Sequence, residues 1–188
     1  MNTIIYMVRH AESPYNEGTE RTRGLTAKGK GDVKQVTEIL KEEGIDVLVS
    51  SPYNRAIQSI EGLAQHLGLD IEIFEDLRER HFAEEMIDNL MSVISEKFDD
   101  FDYSLPGGES NFECQDRSVS VIKNILKQHA GKKVAIGTHG LVMTLMMNYF
   151  DSSYGLDFLN QLQKPDIYKL SFENLELKEV IRLWNGDF

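Results

Sequence analysis

Four short segments of the sequence carry polar residues of the types that bind and attack a phosphoryl group. They contain Arg9 and His10, then Arg55, then Glu79, and finally His139. An arginine guanidinium is planar, contacts two phosphate oxygens at once and stays charged at any working pH. A neutral imidazole can attack phosphorus, and a carboxyl group can donate a proton to the departing oxygen. Brought together, these side chains would form an anion site that contains both a nucleophile and an acid.

Each of the four segments follows an apolar run that is predicted to form a buried β-strand. The strands are expected at 3–8, 46–50, 71–74 and 132–137. The helices between and after them are expected at 27–43, 52–66, 113–129 and 141–150, with Thr26 and Ser51 as predicted N-caps of the first two. This alternation predicts an α/β fold in three layers, with a mostly parallel central sheet and helices on both faces. Ligands of such sheets bind beyond the carboxyl ends of the strands, so we expect the four segments to meet there.

Two features depart from the simple alternation. The runs 167–172 and 175–183 are predicted to form a closing pair of strands, at least one of them antiparallel at an edge. The segment from about residue 80 to 110 is predicted to be a lid insertion, with a helical stretch near 85–98. We expect the whole chain, 1–188, to form a single domain with this lid.

The composition restricts the partners of the protein. A net charge of −11 argues against nucleic acid or an anionic membrane as a binding partner, because both require a basic surface. No apolar run approaches the length of a membrane-spanning helix, and the single cysteine, Cys114, allows no internal disulfide. No basic leader precedes the first strand, so the expected location is the cytoplasm.

Together with one further motif, these four segments resemble the histidine phosphatase superfamily, also called phosphoglycerate mutase-like. The motifs are Arg9-His10-Ala11-Glu12-Ser13 followed by Asn16, Leu25-Thr26-Ala27-Lys28-Gly29, Ser50-Ser51-Pro52-Tyr53-Asn54-Arg55-Ala56-Ile57-Gln58-Ser59, Leu77-Arg78-Glu79-Arg80-His81 and Gly137-Thr138-His139-Gly140. They occur in this order over nearly the whole chain. An Arg-His pair alone would be weak evidence, whereas five motifs in order, each at an expected strand end, are specific.

The resemblance implies the role of each residue. His10 is the expected nucleophile, Glu79 the proton donor, and Arg9, Arg55 and His139 the phosphate pocket, assisted by Asn16. Glu84 and Glu85 are alternative donors. Arg21 and Arg23 follow His10 in the same loop and either could reach phosphate or substrate, with Arg21 favoured. Because two arginines and a protonated His139 would neutralise the phosphate, we expect no metal and no cofactor.

The expected activity is hydrolysis of a small phosphorylated metabolite through a phosphohistidine, with two alternatives left open. A phosphoglycerate mutase would return the phosphoryl group to its substrate, and a non-catalytic module would only recognise phosphate. Between Glu84 and Gly108 the predicted lid contains Lys97 as its only basic residue, against seven carboxylates. This acidity favours a hydrolase over a mutase and predicts a preference for uncharged leaving groups.

Overall fold

The computed structural model describes residues 1–85 and 87–186 and contains one six-stranded sheet. The strands are β1 (Asn2–Arg9), β2 (Val47–Ser50), β3 (Ile71–Ile73), β4 (Lys133–Thr138), β5 (Asp166–Glu173) and β6 (Glu176–Arg182). They lie in the order β3-β2-β4-β1-β5-β6. The first four are parallel, whereas β5 pairs antiparallel with β1 and β6 pairs antiparallel with β5. The predicted closing pair of strands and its antiparallel edge are therefore confirmed.

Helices cover both faces of the sheet, which confirms the predicted three-layer α/β class. The helices are α1 (Ala27–Leu40), α2 (Asn54–Leu67), α3 (Leu90–Lys97), α4 (Asn111–Gln128), α5 (Gly140–Phe150) and α6 (Leu156–Gln161). Strand β1 alternates between the two cores: Ile5 and Met7 join the apolar cluster of α4 and α5, while Tyr6 and Val8 join that of α1 and α2. This period of two is the pattern of a strand buried on both faces.

The predicted starts of the first two helices had different outcomes. Thr26 is the N-cap of α1, and its hydroxyl accepts a hydrogen bond from the backbone N–H of Gly29, as predicted. Ser51 was predicted to cap the next helix, and this is wrong. Helix α2 begins at Asn54, with Tyr53 at its N-cap position. The Ser51 hydroxyl is instead engaged by His139.

The segment between β3 and α4 contains little regular structure. A 3₁₀ turn covers Glu75–Leu77, and α3 is shorter than the helix predicted near 85–98; Met86, within that prediction, lies outside the described residues. Ile94 and Phe98 of this segment are buried and pack onto the core beneath α4 and α5. Helix α6 was not predicted from the sequence. None of the described helices is long and apolar enough to cross a membrane.

Candidate active site

The first candidate residue, His10, lies directly beyond the carboxyl end of β1. Its backbone N–H donates to the carbonyl of Thr138 at 2.9 Å, which holds it against the end of β4. Its side chain is 6% exposed, and Nδ1 lies 2.7 Å from the carbonyl oxygen of Ala11. A carbonyl can only accept, so Nδ1 carries the ring proton. The lone pair of the neutral ring therefore resides on Nε2.

His139 faces His10 from the start of α5. The two rings are 5.3 Å apart in an edge-to-face arrangement. His139 is fully buried, and its Nε2 lies 2.7 Å from the hydroxyl of Ser51. The Tyr53 ring packs against His139 at 5.1 Å and lies 4.9 Å from the guanidinium carbon of Arg55. The residues that end β1, β2 and β4 thus meet at one edge of the sheet, as expected of its carboxyl end.

Arg9 is held on the opposite side of this edge by backbone contacts. Its Nη1 donates to the carbonyls of Leu162 and Gln163 at 2.8 and 3.3 Å. Its guanidinium lies flat over Gly140, where a Cβ would come within 2.9 Å of Nη2 and 3.0 Å of Nε. Glycine at this position therefore allows Arg9 to approach the first turn of α5, beside His139.

Arg55 projects from the first turn of α2 and is almost completely buried. Its two terminal nitrogens are occupied by one residue, Glu20: Nη1 donates to the backbone carbonyl and Nη2 to the carboxylate at 2.9 Å. The same carboxylate accepts from Arg23 Nε at 3.1 Å, and Arg23 Nη1 donates to Ser13 at 2.7 Å. Glu20 thus fixes the outer end of Arg55 and leaves its Nε side open.

Unpartnered hydrogen-bonding atoms concentrate around His10. Five buried side-chain atoms of the described residues have no hydrogen-bond partner. Three of them are Nε of Arg9, Nε of Arg55 and Nδ1 of His139. An unpaired buried polar group costs about 1–3 kcal/mol, so three of them together are a feature that folding alone does not explain. An oxyanion bound beside His10 would satisfy them.

Glu79 lies at the N-terminus of α5, where its carboxylate binds the backbone two and three residues after His139. Its Oε1 accepts from the backbone N–H groups of Arg80 and Val142, both at 2.9 Å, and its Oε2 accepts from that of Leu141 at 3.1 Å. Backbone N–H groups at a helix N-terminus are unsatisfied by the helix itself, so a carboxylate is well placed there. Oε2 accepts only one N–H and keeps a lone pair that can carry a proton.

A partly buried arginine holds the segment that carries Glu79. Arg117 on α4 donates to the backbone carbonyls of Asp76, Arg78 and Glu79 at 2.7, 3.0 and 3.4 Å. It is fixed in turn by an ion pair with Glu109 at 2.6 Å. The position of Glu79 is therefore set by helix α4 behind it as well as by α5 in front.

Burial and neighbouring cations favour the neutral form of both histidines. Burial lowers the pKa of His10 well below its ordinary value, and the Arg55 guanidinium lowers it further. Burial likewise lowers the pKa of His139, with Arg55 and His10 acting in the same direction. These directions do not support the protonated His139 that was expected from the sequence. Desolvation and neighbouring cations both oppose a charge on this ring.

These shifts make stability depend on pH. Each histidine takes up a proton near pH 6.5 in the unfolded chain but not in the folded protein, so acidification stabilises the unfolded state. Lowering the pH from 7.5 to 5.5 in phosphate-free buffer should reduce the free energy of unfolding by about 1.4 kcal/mol per histidine. Urea denaturation at the two pH values measures this change. The His10→Gln variant should lack the contribution of His10 to the pH dependence, whereas a variant of the exposed His66, His66→Gln, should retain it. Equal pH dependence in wild type and His10→Gln would contradict the shift.

The two predicted substrate contacts, Asn16 and Arg21, lie at the surface. Asn16 is exposed and makes no side-chain hydrogen bond in the described part of the chain. Arg21 is about half exposed, pairs with Glu75 and lies 5.7 Å from the Tyr53 ring. Their roles stay predictions. The structure brings Arg23, which the sequence ranked below Arg21, into the buried network instead.

Two contact residues were given no role in the pocket from the sequence. Ser51 lies in one of the motifs but was interpreted as a helix cap, and Glu20 gave no signal because its contact with Arg55 spans 35 residues. The Ser50-Ser51 position at the end of β2 was the one available indication of a site role. Among the residues that the structure describes, no group of three or more His, Cys, Asp or Glu side chains could hold a metal ion.

Comparison with known proteins agrees with this fold. Residues 5–185 match the family model of the histidine phosphatase superfamily, branch 1. The chain therefore belongs to the histidine phosphatase superfamily. Its members resembling this chain include both phosphatases and phosphoglycerate mutase-like proteins.

Among curated proteins, the chain is 29% identical over 161 residues to the probable phosphoglycerate mutase GpmB of Salmonella paratyphi B, covering 77% of this chain and 73% of that protein. Solved structures share the fold at lower identity. A mycobacterial glucosyl-3-phosphoglycerate phosphatase superimposes with a TM-score of 0.75 at 17% identity over 100% of both chains. Phosphoserine phosphatase from Entamoeba histolytica, solved with 3-phosphoglyceric acid, has a TM-score of 0.79 at 16% identity over 98% of both chains.

Proposed function

We propose that the protein hydrolyses phosphomonoesters of small metabolites through a phosphohistidine formed on His10. The observation that carries this proposal is the group of three unpartnered buried nitrogens, on Arg9, Arg55 and His139, beside a histidine whose Nε2 is free. The two arginine nitrogens are donors with permanent charge, which suits them to phosphate oxygens. The site therefore combines an oxyanion pocket with a neutral nucleophile.

In the first step, Nε2 of His10 attacks phosphorus and the bond from phosphorus to the ester oxygen breaks. The departing alkoxide takes the proton that Glu79 carries on Oε2, so an alcohol leaves and Glu79 becomes a carboxylate. The positive charge that develops on the His10 ring is shared with the Ala11 carbonyl through Nδ1–H. Arg9 and Arg55 stabilise the charge on the non-transferred phosphate oxygens.

In the second step, water attacks the phosphohistidine. The Glu79 carboxylate accepts the proton of the attacking water, and the phosphorus–nitrogen bond breaks with its electron pair returning to Nε2. Inorganic phosphate leaves, and both His10 and Glu79 return to their starting protonation states. The same carboxyl group thus serves as acid and then as base, which explains why its position is fixed from two helices.

A phosphoglycerate mutase is the alternative within the same family, and the curated relative named above favours it. A mutase must retain its intermediate until the phosphoryl group is returned. The acidic, largely exposed segment 84–108 offers little positive charge for this retention, which supports hydrolysis. A non-catalytic phosphate-binding module is disfavoured because it needs neither a free Nε2 nor a carboxyl group fixed beside it.

A substrate screen tests the proposed function. Purified protein is incubated with a panel of phosphomonoesters, and both inorganic phosphate release and conversion of 3-phosphoglycerate to 2-phosphoglycerate are measured. Hydrolysis predicts phosphate release with at least one ester and little conversion. Conversion much faster than phosphate release would establish the mutase, and binding without either reaction would establish the recognition module.

Chelator resistance is a second expected result. Arg9 and Arg55 supply the positive charge that a divalent cation supplies in metal-dependent phosphatases, so activity should not require added metal. After incubation with EDTA and exchange into metal-free buffer, phosphate release should stay within about twofold of the untreated rate. Loss of activity that Mg²⁺ restores would contradict this account of the pocket.

A further inference from the structure

Beyond the phosphate pocket, an ammonium group stands at the mouth of the site without an acidic partner. Lys164 lies in the loop between α6 and β5, and its Nζ donates to the Tyr15 hydroxyl at 2.8 Å. It makes no ion pair with a carboxylate in residues 1–85 and 87–186. The Tyr15 ring also lies 4.8 Å from the guanidinium carbon of Arg23.

Two other cations near the mouth have carboxylate partners. Arg23 shares Glu20 with Arg55, and Arg21 pairs with Glu75. Lys164 has only the neutral Tyr15 phenol as partner, so it retains an uncompensated positive charge. An ammonium has three donors, of which Tyr15 uses one, and the Tyr15 hydroxyl keeps its own O–H to donate. Together they present several donors to a ligand.

The backbone places this ammonium close to the reacting atoms. Arg9 binds the carbonyls of Leu162 and Gln163, the two residues before Lys164. The buried Asp166 carboxylate fixes the loop from the other side, because it accepts the backbone N–H of Gln163 at 2.8 Å and pairs with Arg182. The charge of Lys164 is near enough to contribute to the lowered pKa of His10.

We infer that Lys164 and the Tyr15 hydroxyl bind a second anionic group of the substrate, a carboxylate or a further phosphate, at the mouth of the site. This inference rests on the proposed function and names the class of ester it acts on. From sequence, the acidity of segment 84–108 predicts uncharged leaving groups. The present inference predicts the opposite, a leaving group that carries a negative charge. Arg55, Arg9 and Lys164 all act to lower the pKa of His10.

Two matched substrate pairs test the inference. 3-Phosphoglycerate and glycerol 3-phosphate differ in a carboxylate against a hydroxymethyl group, and propane-1,3-diol bisphosphate and monophosphate differ in the second phosphate. The wild-type protein should prefer at least one anionic member by roughly tenfold in kcat/KM, the value of one charge-assisted hydrogen bond. Which pair shows the preference identifies the second group as carboxylate or phosphate.

Three variants show whether Lys164 is responsible. Lys164→Gln should reduce the preference to about twofold or less, and Lys164→Arg should restore much of it. Lys178→Gln removes the same charge from the distant edge strand β6 and should retain the wild-type preference. Equal kcat/KM within both wild-type pairs, or a preference unchanged in Lys164→Gln, would overturn the inference.

A binding measurement keeps the inference separate from the proposed function. Both pairs are titrated by calorimetry into the His10→Ala protein with Lys164 or Gln at position 164. If no ester is hydrolysed, the proposed function fails, yet tighter binding of an anionic member that depends on Lys164 would still support the second anion site. Binding that does not distinguish the members of either pair would reject the site whatever the activity.

Discussion

Replacing His10 by alanine is expected to lower kcat by roughly 10⁴-fold or more on every phosphomonoester, because the substitution removes the atom that attacks phosphorus. Arg9, Arg55 and His139 keep their positions, so the variant should still bind inorganic phosphate. Initial rates of phosphate release measure the first effect, and calorimetry with phosphate measures the second. Loss of turnover with retained binding would distinguish a nucleophile from a residue that only shapes the pocket.

His66→Ala is the matched control, because His66 is exposed near the end of α2 and takes no part in the site. It should retain wild-type turnover. Turnover of His10→Ala close to that of the wild type would refute the nucleophilic role, whatever its phosphate affinity.

Replacing Glu79 by glutamine is the second large effect, and it should depend on the leaving group. An alkoxide is a strong base and needs a proton as the ester bond breaks, whereas nitrophenolate hardly does. The variant should lose about 10²-fold or more on alkyl phosphates and distinctly less on nitrophenyl phosphate. A plot of log kcat/KM against leaving-group pKa should therefore be steeper for the variant.

The glutamine variant also needs a stability control. Glutamine can keep one oxygen for the N–H groups of Arg80 and Val142, but its amide group would then face the N–H of Leu141. A cost of about 1–3 kcal/mol in folding is expected from this unpaired donor. Rates are therefore compared at a temperature where both proteins are folded, as shown by circular dichroism.

Glu84 and Glu85, in the segment that follows Glu79, are the alternative proton donors. Glu84→Gln and Glu85→Gln alter exposed carboxylates and should leave the leaving-group dependence unchanged. The alternative outcome is that Glu79→Gln loses equally on both substrate types while one of these variants loses selectively on alkyl phosphates. That result would identify the residue replaced in that variant as the proton donor.

The strand ends could be predicted from sequence because a buried parallel strand leaves a simple pattern. The apolar run before Arg9 and the run before Thr138 each end at polar residues, and parallel strands bring such ends to one edge. Thr26 could likewise be recognised as a helix cap from its neighbours. The sequence was sufficient in these cases because a buried strand and a helix cap each leave a pattern within a few neighbouring residues.

The contacts that complete the site are not local, and the sequence did not indicate them. Ser51 has the sequence context of a helix cap, but the buried ring of His139, 88 residues away, takes its hydroxyl. Lys164 meets Tyr15 over a separation of 149 residues. Arg21 and Arg23 are indistinguishable by type and spacing, and only packing decides that Arg23 is buried and Arg21 is exposed.

The charge state of His139 shows a second limit of sequence reasoning. Its position among arginines suggested a protonated ring, whereas complete burial and those same arginines lower its pKa well below the ordinary value. A phosphate dianion between Arg9, Arg55 and His139 would oppose that effect, because an adjacent negative charge raises the pKa of a histidine. The protonation state of His139 therefore depends on whether the pocket is occupied.

Trapping the phosphorylated protein tests the central claim most directly. Wild-type protein is mixed with a ³²P-labelled ester, quenched in alkali within milliseconds and digested, and the label is mapped by mass spectrometry. The account predicts a base-stable, acid-labile phosphoryl group on Nε2 of His10, because Nδ1 donates to the Ala11 carbonyl and is unavailable. A phosphoryl group on any other residue, or turnover with no covalent intermediate under single-turnover conditions, would contradict it.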